Sequence, residues 1–162
     1  MSQQFAEPTP VIPEPSVQAP SPARTTLPST MAEAHDVLIK FLTLLHTKRY
    51  TEAVPLYGGE YDSLQVFNPE IDRADNVALW TYACDNQLLQ CLEVRSATFK
   101  TLTGDSYIFQ VEFSNPDGSL FVLGPCCGAT ETEMPPVSQF EYMISRNAEH
   151  HYVVMNPPPY VP

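Results

Sequence analysis

Residues 107–113 read Tyr-Ile-Phe-Gln-Val-Glu-Phe, with a large apolar side chain at every second position. Because successive side chains of a strand point to opposite faces of a sheet, this alternation predicts a strand with one strongly apolar face. Residues 115–118, Asn-Pro-Asp-Gly, place proline and glycine where a tight turn requires them. A partner strand is therefore expected over residues 120–123.

The chain after this turn predicts further antiparallel strands. A loop rich in Gly, Thr, Glu and Pro covers residues 124–136, and strands over 137–145 and 152–155 are expected to form a hairpin. The proline-rich tail, residues 156–162, cannot continue a sheet, because proline has no N–H to donate. With the segment that begins at Leu92, about five strands are predicted. Their inward positions are expected to be Tyr107, Phe109, Val111, Phe113, Phe140, Tyr142 and Ile144.

The strands are preceded by segments with helical periodicity. Apolar residues recur at helical spacing from residue 34 to residue 45, and Thr30 with Glu33 fits a capping box, so a helix is predicted from Thr30 to about His46. Thr51 can cap a short second helix that ends at the glycine pair 58–59.

A third helix is predicted after an irregular stretch over residues 60–71. Asp72 or Asp75 can cap this helix, which includes Trp80 and Cys84. Helices segregated from strands indicate an α+β fold in which N-terminal helices pack in a curved antiparallel sheet. The length and composition suit one such domain over residues 31–162.

Residues 1–30 have a different composition from the rest of the chain. Seven of the 17 prolines lie before residue 29, among Ser, Thr, Gln and Ala, and large apolar residues are few. Such a segment cannot bury enough surface to offset its ordering entropy, so a disordered, extended linker is predicted. It is interpreted either as a plain disordered terminus or as a tether to a membrane anchor, such as a lipidated cysteine further upstream.

The helical opening carries a resemblance to a known superfamily. Residues 37–54, Val-Leu-Ile-Lys-Phe-Leu-Thr-Leu-Leu-His-Thr-Lys-Arg-Tyr-Thr-Glu-Ala-Val, resemble the nuclear transport factor two-like superfamily, with its long helix, polar turn and aromatic-x-x-Ala second helix. The resemblance implies a cone-shaped α+β fold that encloses a pocket, and the chain is similar to non-catalytic members of the bacterial lipoprotein type. Members include SnoaL-like and ketosteroid isomerase-like enzymes, transport factors and binding modules, so the fold alone gives no activity.

The same resemblance directs attention to the inside of the cone. Ketosteroid isomerase-like members place a carboxylate base there, but the predicted inward faces of this chain carry no Asp, Glu or His, so no catalytic residue and no cofactor is assigned. The aromatic residues are expected either to fill the cone or to line a ligand pocket. This candidate ligand pocket comprises Trp80, Tyr82, Tyr107, Phe109, Phe113, Phe140 and Tyr142.

Four cysteines form two sequence-local pairs, Cys84 with Cys91 and Cys126 with Cys127. In an oxidising compartment they can pair across the two segments or as local bridges, and otherwise they remain thiols. Cys126 and Cys127 with His150 and His151 offer zinc-type ligands. The C-x-x-C and H-x-x-x-H spacings are missing, however, so no metal is predicted.

The charge balance limits the classes of partner. With 8 basic and 19 acidic residues, the net charge is −11, and the basic residues are not clustered. Nucleic-acid binding is therefore not expected, because it needs clustered Lys and Arg. No apolar run is long enough to span a bilayer. We therefore expect an extracytoplasmic module that binds an unknown protein or small molecule, with loop 124–136 as its partner-facing surface. The alternatives are an isomerase- or dehydratase-type enzyme, a homodimeric structural module and, if all thiols are free, a cytoplasmic location.

Overall fold

A computed structural model describes residues 29–86 and 88–161. The described residues form four α-helices, α1 Ser29–His46, α2 Tyr50–Ala53, α3 Asp62–Phe67 and α4 Asn76–Asp85, and a 3₁₀ turn, Val54–Leu56, continues α2. They also form four strands, β1 Glu93–Thr103, β2 Ser106–Ser114, β3 Phe140–Arg146 and β4 Tyr152–Val154. The predicted α+β fold, with helices preceding an antiparallel sheet, is confirmed.

The sheet has the strand order β1-β2-β3-β4, and each strand is antiparallel to its neighbour. Phe109 at the centre of β2 lies opposite Phe99 of β1 and Tyr142 of β3, which places three aromatic residues in one row across the sheet. Strand β1 has register shifts after Val94 and after Phe99. Irregularities of this kind bend a strand and increase its twist.

The hydrophobic core lies between α1 and one face of this sheet. Helix α1 contributes Leu38, Phe41, Leu42 and Leu45, each at most 2% exposed. The sheet contributes the predicted inward residues Phe109, Val111, Phe113, Tyr142 and Ile144, which are equally buried and belong to the same cluster. The apolar face of the helix, with a period of 3.6 residues, and the apolar face of the strands, with a period of 2 residues, therefore pack together in one core.

The start of α1 differs from the prediction by one residue. The helix begins at Ser29, and the Thr30 hydroxyl, instead of closing a capping box, lies 2.9 Å from the Tyr107 hydroxyl. Residues 1–28 of the predicted linker lie outside the described residues. The cap of the third predicted helix is confirmed, because the Asp75 carboxylate accepts a hydrogen bond from the Ala78 amide at 2.9 Å.

Three further sequence predictions were wrong. The second helix begins at Tyr50, before Thr51, and no described side chain caps it, so the predicted Thr51 cap does not form. Residues 60–71 are not all irregular, because they contain helix α3, which is too short at six residues to show a hydrophobic period. The expected strand over residues 120–123 is reduced to isolated bridges, Ser114 with Leu120 and Leu123 with Val137. The turn before it is confirmed, since the Gly118 amide donates to the Asn115 carbonyl at 2.8 Å and Gly118 has a φ of +81°, which favours glycine.

The C-terminal tail forms no strand within its described residues, but it is fixed to the segment that follows α4. The Gln90 amide donates to the Pro159 carbonyl at 2.8 Å, and the Val161 amide donates to the Leu88 carbonyl at 3.3 Å. None of the described helices has the length and hydrophobicity needed to cross a membrane.

Candidate functional site

Aromatic rings fill the space between the helices and the sheet. Trp80, Phe109 and Phe113 are fully buried, and Tyr142 is 1% exposed. Phe113 packs against Tyr142 and Phe140, with ring centroids 6.2 and 5.8 Å apart. Five of the candidate pocket residues therefore lie in or against the core, where Phe113 contacts Phe140 and Tyr142, and Trp80 and Phe109 contact rings outside the candidate set.

The other two candidate pocket residues each reach a different surface, although Tyr107 also packs against the core. Tyr82 is 43% exposed on α4 and lines a shallow hollow with Asp75 and Ile71. Tyr107 is half-buried and lines a polar cavity at the turns of the two hairpins. The seven aromatic residues thus do not share one open pocket.

Trp80 is the centre of a second aromatic cluster, which joins α4 to the chain around α2. Its ring makes edge-to-face contacts with Tyr57, Phe41 and Tyr61, at centroid distances of 5.0, 5.6 and 6.2 Å. The indole N–H donates to the Tyr61 hydroxyl at 3.2 Å, so the one polar atom of this side chain is satisfied.

The buried tyrosine hydroxyls of the core remain protonated at neutral pH. Burial raises the pKa of Tyr57 to about 12 and raises the pKa of Tyr142 still further above its usual value. The Tyr57 hydroxyl donates to the Glu60 carbonyl at 3.2 Å. The Tyr142 hydroxyl, by contrast, is buried with no hydrogen-bond partner among residues 29–86 and 88–161.

Removal of the Tyr142 hydroxyl is expected to stabilise the protein. A buried polar group without a partner costs about 1–3 kcal/mol, so Tyr142→Phe should raise the free energy of unfolding by about 1 kcal/mol. Tyr50→Phe is the matched control, because the Tyr50 hydroxyl donates to the Asp85 carboxylate at 2.7 Å and its loss should destabilise by about 1–2 kcal/mol. Urea unfolding of both variants measures the difference, and a destabilised Tyr142→Phe would show that its hydroxyl is satisfied.

An apolar groove opens at the surface between α3, the end of α4 and the C-terminal tail. Its volume is about 250 Å³. Its lining is Ser63, Leu64, Phe67, Asn68, Ala83, Leu88, Leu89, Pro157, Pro158 and Tyr160. The exposed rings of Phe67 and Tyr160 stack at its edge, with centroids 5.1 Å apart and 17° between their planes.

A disulfide and two backbone hydrogen bonds hold the walls of this groove together. A disulfide joins Cys84, at the end of α4, to Cys91, and it closes the short loop that carries Leu88 and Leu89. The tail that supplies Pro157 and Tyr160 is hydrogen-bonded to the same loop. Proline in the tail adds stiffness, because its ring fixes φ.

Asn68 is the one buried polar residue in the described part of the chain, and it lines the groove. Its side-chain amide donates to the Leu64 carbonyl at 2.8 Å, and this hydrogen bond satisfies a carbonyl in the last turn of α3. Its Oδ1 atom accepts no hydrogen bond from any described residue. The walls of the groove are thus mainly apolar, and the Oδ1 atom of Asn68, unpaired among the described residues, is itself buried.

The surface next to the groove is acidic. The segment around α3 carries Glu60, Asp62, Glu70, Asp72 and Asp75, all of them exposed. The one basic residue among them, Arg73, donates to the Asp62 carboxylate at 2.8 Å, which leaves a surplus of negative charge. Flanking cations of a partner would therefore be attracted to this side of the molecule.

The polar cavity at the hairpin turns is larger, about 670 Å³, and several of its polar groups pair with one another. Ser106 and Ser145 hydroxyls lie 2.7 Å apart, and Arg146 donates to the Tyr152 hydroxyl at 3.2 Å while its guanidinium lies over the same ring. The side chains of Asp105 and His150, by contrast, line this cavity without a hydrogen-bond partner among the described residues.

The second cysteine pair lies in the loop after β2. Cys126 and Cys127 are not bonded, although their sulfur atoms lie 2.8 Å apart, and Cys127 is exposed. No group of three or more His, Cys, Asp or Glu side chains suited to a metal ion occurs in the described ranges.

The sequence matches no protein-family model, and no curated protein matches it. Any functional interpretation therefore depends on the geometry of the groove and of the thiol pair. Sequence reasoning missed the groove, because α3 was not predicted and the tail was expected only to end the sheet.

Proposed function

We propose that this protein is a non-enzymatic binding module of nuclear transport factor two-like architecture, and that its groove receives a large apolar side chain from a partner polypeptide. The observation that carries this proposal is the apolar groove, which is rimmed by the stacked, exposed rings of Phe67 and Tyr160. The binding-module expectation is supported also by the interior of the molecule, where rings occupy the place in which an enzyme of this superfamily would keep its substrate.

The size of the groove favours an anchor side chain over a free small molecule. Small-molecule pockets occupy about 300–1,000 Å³, and this groove is smaller. Protein partners commonly insert one or two large side chains into such pockets, and these anchors supply most of the binding energy.

The charge around the groove indicates the composition of the partner segment. Five exposed carboxylates surround α3, so we propose a segment with basic residues on both sides of its apolar anchor. The Cys84–Cys91 disulfide supports a location in an oxidising compartment, because cytosolic reductants keep such pairs open. Residues 1–28 are proposed to tether the module there.

The test is binding of a synthetic peptide with a central Phe between lysines, against the same peptide with a central Ala. Phe67→Ser removes half of the rim and should weaken binding of the Phe peptide at least about tenfold. Ser63→Trp, on an exposed position of the lining, should block the groove. Val66→Ser is the matched control, since Val66 is 74% exposed, adjacent to Phe67 and outside the lining.

Isothermal titration calorimetry gives the affinities, and amide shifts of Leu64, Asn68 and Leu89 in NMR spectra locate the peptide. Equal affinities for the Phe and Ala peptides, or equal losses in Phe67→Ser and Val66→Ser, would contradict the proposal. Binding that persists in Ser63→Trp would place the peptide elsewhere on the molecule.

A further inference from the structure

We propose that Cys126 and Cys127 form a reversible redox site, which closes to a vicinal disulfide by thiol–disulfide exchange. The site goes beyond the proposed binding function and does not depend on it. Its substrates are disulfide oxidants and thiol reductants of low molecular weight or on a redox protein.

The first observation is the geometry of the thiol pair. The two sulfur atoms lie 2.8 Å apart, so a small movement brings them to bonding distance. Cys127 is exposed and Cys126 is half-buried. The pair is therefore both close enough to bond and open to an external oxidant.

The second observation is the backbone that carries the pair. The Ala129 amide donates to the Cys126 carbonyl at 3.0 Å, which closes a tight turn over Cys127 and Gly128. Both of these residues have positive φ, +60° and +86°. For Gly128 this is ordinary, but a cysteine in the left-handed region is uncommon, and such conformations concentrate at functional sites.

The contrast with the other pair indicates that this disulfide would be the easily reduced one. The Cα atoms of Cys84 and Cys91 are 5.5 Å apart, inside the ordinary range of about 4.4–6.8 Å for bridged cysteines. Consecutive Cα atoms are only about 3.8 Å apart, so a bridge between neighbours is strained by the chain itself. Strained, exposed disulfides are more readily reduced and are the labile or regulatory ones.

The exchange proceeds in two balanced steps. The Cys127 thiolate attacks an oxidant RSSR, forms a mixed disulfide and releases one RS⁻, which takes up a proton. The Cys126 thiolate then attacks the Cys127 sulfur and releases the second RS⁻. The protein loses two protons and two electrons, and the oxidant becomes two RSH. In the free dithiol the hydrogen bond with Cys127 raises the pKa of Cys126, which disfavours Cys126 as the first attacking thiolate.

The experiment equilibrates the protein in buffers of varied glutathione to glutathione disulfide ratio, followed by alkylation and peptide mass spectrometry. The peptide containing Cys126 and Cys127 should lose two hydrogens and retain no glutathione. Half-reduction of this pair should require at least about tenfold less reduced glutathione than half-reduction of Cys84–Cys91. Cys126→Ser should stop at a stable mixed disulfide on Cys127, and Cys127→Ser should react more slowly.

Three outcomes would overturn the proposal. In the first, the wild-type protein retains glutathione in a mixed disulfide, as is expected of Cys126→Ser. In the second, Cys126 and Cys127 can still be alkylated at every ratio of glutathione to glutathione disulfide. The third is oxidation that yields only disulfide-linked dimers. All of these readouts are independent of peptide binding, so they separate this inference from the proposed function.

Discussion

Trp80→Ala is expected to lower the free energy of unfolding by about 3–5 kcal/mol, the usual cost of truncating a buried aromatic residue. Trp80 is fully buried and contacts Phe41, Tyr57 and Tyr61, so its removal leaves a cavity that the neighbouring rings cannot easily close. Such an apolar cavity should bind indole and recover part of the lost stability. Urea unfolding with and without indole measures both effects.

Tyr82→Ala is the control, because Tyr82 lies on the same helix but is 43% exposed. Its cost should stay below about 1 kcal/mol. If Trp80→Ala costs no more than Tyr82→Ala, the interior is not filled as described, and an open cone able to hold a substrate would return as the better interpretation.

The second large effect is expected from loss of the Cys84–Cys91 bridge. Replacement of both cysteines by serine should destabilise the protein by about 2–3 kcal/mol, because the bridge closes a loop of about eight residues in the unfolded chain. The same change frees Leu88 and Leu89 from the end of α4. The affinity for the Phe peptide should therefore fall as well, under conditions in which the variant is still folded.

Serine at both Cys126 and Cys127 is the matched control for this variant. These residues lie outside the groove and are unbonded, so their replacement should leave the unfolding free energy within about 0.5 kcal/mol of the wild type. Unchanged peptide binding in the Cys84–Cys91 double variant would show that the disulfide stabilises α4 without shaping the groove.

The parts of the fold that were predicted correctly are those in which a repeated pattern determines the packing. The alternation around Phe109 and the helical spacing around Phe41 each identify a buried face, and the two faces meet in the core. The cap at Asp75 and the turn at Gly118 were found because single residues satisfy a specific backbone requirement.

The groove could not be predicted because no periodic pattern encodes it. It depends on α3, whose six residues bury only Leu64, and on a tail that hydrogen-bonds to a loop about 70 residues earlier in the chain. The cysteine pairing was likewise left open, since spacing alone allows three arrangements. Only the three-dimensional structure brings Leu64, Leu89 and Tyr160 to one place.

The tail, residues 156–161, makes one wall of the groove but contributes no strand to the sheet. Mutations there can alter what the groove accepts while the sheet keeps its register and the helices keep their core. The specificity proposed for this groove can thus change at the tail residues Pro157 and Tyr160, which lie outside the core cluster, whereas Leu64, Ala83 and Leu89 belong both to the groove and to the core.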